Sequence, residues 1–242
     1  MRELGFFVPL RFLNRHRYEK QLQHLYTRFG VYFWRSIPSY REYSFYPAAA
    51  MLIDRIIKKF MHIDITEDEL LEARKILRIE YGKRNSFFLR KGEHSSRVGF
   101  LIEGLLYAYS IDSNGEEQIH NFFYPSFPHD VLFNYEAHIQ VQSSQVAYKF
   151  YQDSTIVVLD TAGLKKLYEK FPRFYSLEML IMQPQFLQAT YQNKLLRAGK
   201  ALEKIAILKR QSPEIFKLFP SAYIASYLGI HRNTFNRAMH KL

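Results

Sequence analysis

From Ile79 to Asp160 the chain breaks into short apolar runs, SFFLR, VGFLIEG, LLYAYSI, EQIHNFFY, QVAYKFY and STIVVLD, with the turn-rich stretches KGEHSS, DSNG and FPHD between them. Runs of this length at near-regular intervals are strand-sized, and turn residues between them predict antiparallel neighbours. Asn114-Gly115 is a hairpin signal, because Asn and Gly both tolerate the positive φ of a tight two-strand turn. Gly92 and Gly104 sit where further turns call for positive φ. The stretch therefore reads as an antiparallel all-β barrel or jelly roll, the class of shape that cupin-like folds share.

Helical patterns flank this β region. Upstream, MLIDRIIKKFMHIDITEDELLEARKIL places Ile53, Ile56, Ile57 and Phe60 at helical spacing, and Thr66 with Glu69 forms a capping box that opens a second helix. Met51 reads as a natural start of the folded unit. Residues 1–50, aromatic, arginine-rich and without periodicity, are then a disordered extension or a mis-assigned translation start. A sensor domain is expected over residues 51–171.

Downstream, Asp160 or Thr161 can cap AGLKKLYEKF. The next segment puts Phe174, Leu177, Ile181, Tyr191 and Leu195 on a heptad seam, imperfect at Pro184 and Gln188. The seam predicts a dimerisation helix over residues 172–198, with Leu180 and Leu187 as a second face for the chain's own roll. The alternative is a helix packed on its own roll. Pro184 should kink it, since proline removes a backbone donor. KALEKIAILKRQ is a further amphipathic helix, ended by Ser212-Pro213.

The final stretch, FPSAYIASYLGIHRNTFNRAMHKL, has the layout of a helix-turn-helix within a domain over residues 199–242. Ser221 is a suitable N-cap, Gly229 supplies a left-handed turn, and Ala225 lets the second helix cross closely over the first. Ile224, Leu228, Ile230, Phe235 and Ala238 are the apolar positions that would lock the pair together. On the second helix Arg232, Asn233 and Arg237 share the opposite face, and these types suit base edges: Arg takes both acceptors of guanine, Asn pairs with adenine. Ser221, Tyr223, Thr234, His240 and Lys241 are expected on phosphates.

Charge points the same way. Residues 194–242 hold 10 Lys/Arg against 2 Asp/Glu, whereas residues 51–193 hold 16 against 18. A near-neutral body with a basic end suits a polyanion partner such as double-stranded DNA. The absence of cysteine excludes disulfides, thiolate zinc sites and cysteine-ligated iron–sulfur clusters. No window approaches the roughly 18 apolar residues of a membrane-spanning helix, so a soluble cytoplasmic protein without a membrane partner is expected.

AYIASYLGIHRNTFNRAMHKL resembles the helix-turn-helix of the Crp/Fnr family of bacterial transcription regulators. Upstream, FLRKGEHSSRVGFLIEGLLYAYSIDSNGEEQIHNFF is similar to the first half of that family's cyclic-nucleotide-binding-type β-roll, and QDSTIVVLDTAGLKKLYEKFP to its last strand and the run into the dimer helix. The resemblance covers residues 51–242. It implies an α+β chain of β-roll, long dimerisation helix and C-terminal winged helix-turn-helix domain. It also implies a homodimer with two recognition helices about 34 Å apart on a near-palindromic site. Residues matching Arg232, Asn233 and Arg237 face the bases in the family, whereas His231 stands where the related subgroup has a capping Thr or Ser. A regulator that activates must also touch RNA polymerase, and no motif announces that surface.

The departures bear on the effector. Members that bind cyclic AMP carry a Gly-Glu pair and then an Arg followed by Ser or Thr, which neutralise the cyclic phosphate. Here YPSFPHDVLFNYEAHIQVQSSQVAYKFYQDS has no such pair, and Ser144 and Gln145 fall where the Arg and hydroxyl residue belong. The effector pocket is thus degenerate, no micromolar cyclic AMP or cyclic GMP binding is expected, and the small-molecule effector is unassigned. His120, His129 and His138 recur every nine residues but lack the His-x-His pair of a cupin metal centre, so neither metal nor cofactor is expected. The remaining alternatives are a ligand-free dimeric DNA-binding or protein-interaction scaffold, and a cupin-like barrel enzyme. The enzyme has no paired carboxylates or nucleophile–base set in its favour.

Overall fold

Thr66 and Glu69 cap the first of the described helices reciprocally, the capping box that the sequence predicts. The threonine hydroxyl accepts the Glu69 amide, and the Glu69 carboxylate accepts the Thr66 amide at 2.8 Å. The structure is a computed structural model that describes residues 66–126 and 128–241; the extension over residues 1–50 and the helix expected from Met51 lie outside them. Helix α1 (Glu67–Ile76) runs straight into β1 (Leu77–Gly82), so strands begin at Leu77 rather than Ile79.

Seven further strands follow: β2 (Phe87–Leu89), β3 (Arg97–Glu103), β4 (Leu106–Ile111), β5 (Glu117–Phe123), β6 (Val131–Leu132), β7 (Ala147–Phe150) and β8 (Ser154–Asp160), with a short helix α2 (Tyr135–Ile139) between β6 and β7. They form two four-stranded antiparallel sheets, β1-β8-β3-β6 and β2-β7-β4-β5. The class is α+β as expected. Among the described residues the β-roll is two four-stranded antiparallel sheets, and neither sheet closes on itself into a barrel.

Both faces of both sheets are covered, which explains why VGFLIEG and STIVVLD read as unbroken apolar runs rather than alternating ones. Between the sheets lie Leu101, Leu106, Phe123, Ile156 and Val158. The other face of the first sheet, through Val98, Phe100, Val157 and Leu159, meets α1 and α3 (Thr161–Lys170). Asp160 caps α3 through the amides of Ala162 and Gly163. The turn after β3 needs Gly104: its φ is +98°, and a Cβ there would lie 2.1 Å from the Ser154 hydroxyl.

A short 3₁₀ turn (Pro172–Tyr175) leads into the 22-residue helix α4 (Ser176–Arg197), which passes through Pro184 without interruption. Its register corrects the sequence reading. Phe174 and Ile181 are buried in the core over the first sheet, Leu195 is buried in the core over the second, and Gln188 is buried as well. Tyr191 is half-buried. Most of the expected dimer seam therefore faces its own chain, because apolar side chains three and four apart bury equally well against a sheet as against a partner. The exposed apolar residues lie one or two positions further on: Tyr175, Met179, Phe186 and Leu196.

Four helices complete the chain: α5 (Ala201–Gln211), α6 (Ile215–Leu218), α7 (Ser221–Tyr227) and α8 (Arg232–Met239). Their core is continuous with the outer face of the second sheet, where Leu105, Tyr107, Ile119, Phe122 and Tyr124 pack with Ile205, Ile215, Phe219, Ile224 and Leu228. The rings of Phe122 and Phe219 pack at a 37° tilt with centroids 4.3 Å apart. Among the described residues no strand follows Asp160, so the wing expected beside the helix-turn-helix is not found there.

Candidate nucleic-acid interface and effector cavity

Helices α7 and α8 meet through Ile224, Ala225, Leu228, Phe235 and Ala238, all buried, as the spacing predicts. The turn between them passes through Gly229 at φ +62°, and the Ile230 amide donates to the Ala225 carbonyl at 3.0 Å. Ser221 is not the N-cap of α7. Pro220 holds that position with its carbonyl accepting the amides of Tyr223 and Ile224, and no side chain caps the helix. Proline's fixed φ preorganises the entry, which leaves the exposed Ser221 hydroxyl free of that task. At the other end Lys204 Nζ donates to the Leu228 carbonyl at 3.0 Å, satisfying an orphan acceptor of α7.

Helix α8 begins at His231, whose Nδ1 accepts the Asn233 amide at 3.2 Å. The imidazole thus does the work of the missing Thr or Ser hydroxyl. Arg232, Asn233 and Arg237 are all exposed, on the side of α8 away from buried Phe235 and Ala238. Asn236 lies on the same exposed face, between them in angle, and the helical period is the sequence signal that places it there. His240 and Lys241 are exposed just past the helix end, and Thr234 is half-buried. Tyr223 departs from expectation. Its ring sits 5.0 Å from Tyr107 and 6.0 Å from Tyr151 in an aromatic cluster against the sheet, which removes it from the phosphate-facing set.

Two polar contacts fasten this unit to the sheets. The Ser226 hydroxyl accepts the Ile119 amide and donates to the Glu117 carbonyl, each at 3.0 Å, on the open edge of β5. His129 is buried and bridges the Phe122 carbonyl through Nδ1 and the Ser212 hydroxyl through Nε2, both at 3.2 Å. Because a carbonyl only accepts, Nδ1 carries the proton and Nε2 accepts from Ser212. Burial pushes the His129 pKa down, partly opposed by the Phe122 carbonyl and Asp130. His120 pairs with Ser110 at 2.7 Å, and His138 with the Ser95 carbonyl at 3.0 Å. The three evenly spaced histidines thus serve three different places, and among the described residues no group of three or more His, Asp or Glu could hold a metal ion.

Ser144 is fully buried and takes no part in a cavity. Its hydroxyl accepts from Asn134 Nδ2 at 2.8 Å and donates to the Val146 carbonyl at 2.6 Å, holding the loop before β7. Gln145 is exposed and does line a cavity, of about 410 Å³, between that loop, β5 and α4. A bulge opposite Ala108 and Tyr109 leaves His120 unpaired in β5, at the cavity wall. Burial lowers the His120 pKa, favouring the neutral ring. The wall contributed by α4 consists of Gln185, Gln188, Ala189 and Gln192, and Tyr227 reaches it from α7. The cavity has no Lys or Arg in its lining. Residues so far apart in sequence gave no signal that they would converge.

Solved structures share this arrangement of sheets, long helix and terminal helices. A protein from Eubacterium rectale assigned to the Crp/Fnr family of transcriptional regulators superposes with a TM-score of 0.57 at 14% identity, over 74% of this chain and 83% of its own. The chain has a Crp/Fnr-like fold. FixK2 from Bradyrhizobium japonicum gives a TM-score of 0.55 at 18% identity, over 69% of this chain and 84% of that one. A CooA mutant from Carboxydothermus hydrogenoformans gives 0.54 at 11%, over 78% and 83%. No protein-family model matches the sequence, and neither does any curated protein. The Crp/Fnr-like fold therefore rests on shape, at identities that establish the fold alone. No helix among the described residues is long and apolar enough to cross a membrane.

Proposed function

We propose that the chain is a sequence-specific DNA-binding transcription regulator that acts as a homodimer, with the paired sheets as its sensor. One observation carries the reading: Arg232, Asn233 and Arg237 stand exposed on a helix whose opposite face is sealed into the core. Base-edge donors held on a rigid, basic element are what major-groove reading requires. Resemblance to the E. rectale protein, itself described as a transcriptional regulator, supports the same role.

The dimer face in this reading is Tyr175, Met179, Met182, Phe186, Ala189, Asn193 and Leu196, a seam of alternating four- and three-residue steps along α4. It replaces the seam that packs inward. The cavity beside α4 favours a sensor over a ligand-free scaffold, since a scaffold needs no lined hollow at the junction of sheet, long helix and α7.

Selection of bound fragments from genomic DNA, followed by anisotropy on the recovered site, tests the function. The wild-type protein should prefer the recovered site strongly over scrambled DNA. Arg232→Ala and Arg237→Ala should each remove about 1–3 kcal/mol of that preference. Retention of full preference by both variants would overturn the assignment.

A further inference from the structure

The polar wall of the cavity is oriented by the backbone. Gln185 Nε2 donates to the Val131 carbonyl and Gln192 Nε2 to the His120 carbonyl, each at 3.3 Å. Gln145 Nε2 donates to the Ser143 carbonyl at 3.3 Å. A carbonyl cannot donate, so these partners fix which end of each carboxamide is nitrogen. The amide oxygens of all three residues are left without a donor among the described residues. Gln188 is different: its nitrogen donates to the Pro128 carbonyl at 2.8 Å and its oxygen accepts from Asn121, so it is a strut.

The cavity therefore presents acceptors. Glu136, exposed in its lining, adds a carboxylate with no ion-pair partner among the described residues. Phe133, Tyr135 and Tyr148 supply aromatic surface, and no cationic side chain competes. Oriented amide oxygens, one carboxylate and aromatic rings suit a ligand rich in N–H donors and positive in charge. An anion would meet a carboxylate and no counter-charge.

We infer that this cavity binds a small organic cation of the primary-amine or guanidinium class, held by the Gln185 and Gln192 oxygens with its charge at Glu136. Its volume of about 410 Å³ accommodates a molecule of that size. Tyr227 belongs to the cavity wall and to α7 at once, and Ala189 to the wall and to the proposed dimer seam. Occupancy consequently reaches both the DNA-reading unit and the dimer face. That regulatory consequence rests on the DNA-binding reading above, while binding itself is measured without DNA.

The test is isothermal titration calorimetry of the full chain with agmatine, which carries both cationic groups, with putrescine, and with cyclic AMP as an anionic comparator. Agmatine or putrescine should bind, cyclic AMP should be at least tenfold weaker, and Glu136→Gln and Gln192→Leu should each weaken the cation at least fivefold. Melting temperatures of both variants identify any loss that comes from misfolding, and Gln185→Leu gives an independent second reading of the amide wall. No binding of either cation, binding unaffected in the folded variants, or tighter binding of cyclic AMP would each overturn the proposal. Operator affinity measured separately, with and without agmatine, reports on DNA binding whichever way the calorimetry falls.

Discussion

The hydroxyl of Ser226, in the first helix of the helix-turn-helix, accepts the backbone amide of Ile119 at 3.0 Å while donating to the carbonyl of Glu117. It stands in for a neighbouring strand at the open edge of β5. Ser226→Ala leaves the Ile119 amide and the Glu117 carbonyl without this partner. A loss of about 1–3 kcal/mol is expected. Urea denaturation of the two proteins measures it, and Ser226→Thr, which keeps the hydroxyl, should recover part of the loss.

His129 makes stability depend on pH. Its folded pKa is depressed by burial, so near neutrality the fold holds the uncharged ring, whereas the unfolded chain takes up a proton near the ordinary value of about 6.5. The unfolded state then binds more protons, and stability rises with pH through that window. It should be fully present above about pH 6.5 and decline as pH falls below it toward the folded pKa. His120, also depressed by burial, adds in the same direction. Melting temperatures between pH 8 and pH 5 should fall less steeply in His129→Gln than in the wild type.

Phe186 is 73% exposed on α4, in the middle of the proposed dimer seam. Phe186→Lys should convert a dimer to a monomer in sedimentation velocity without lowering the monomer's own stability. Ile181→Lys should instead unfold the chain, because Ile181 is 4% exposed in its own core. Equal dissociation by both substitutions would return the seam to the register first read from the sequence.

His231 caps α8 with a ring nitrogen in place of a hydroxyl. His231→Ala should cost about 0.5–2 kcal/mol of local stability, and His231→Asn should restore most of it. Amide hydrogen exchange at the start of α8 reads the effect directly, with faster exchange of Asn233 in the alanine variant.

Local chemistry was legible wherever neighbours in sequence are neighbours in space. The Thr66–Glu69 box, the Asp160 cap, the turn glycines and the α7–α8 spacing all carry their reasons within a few residues. What failed was long-range. Two apolar seams run along the 3₁₀ turn and α4, offset by one or two positions, one with Phe174, Ile181 and Leu195 and the other with Tyr175, Phe186 and Leu196, and periodicity is the same for both. Only the sheet beneath decides which one is buried. Tyr223 looked available for phosphates because the sequence does not show that Tyr107 and Tyr151 face the tail, and Ser221 read as the cap of α7 because spacing does not show that Pro220 already starts that helix. The acceptor wall was equally hidden, since Gln145, Gln185 and Gln192 are unremarkable until backbone carbonyls orient them.

The position of Ser226 on β5 also bears on how the chain is made. Synthesis runs from the N-terminus, so both sheets can assemble while the α7 segment is still inside the ribosome. Until residues 221–227 emerge, β5 offers an unpaired edge and the ring of Phe122 to any other nascent chain. Helices translated after both sheets are therefore the ones that shield them from aggregation. Truncation before α7 should yield an insoluble product rather than a separable sensor.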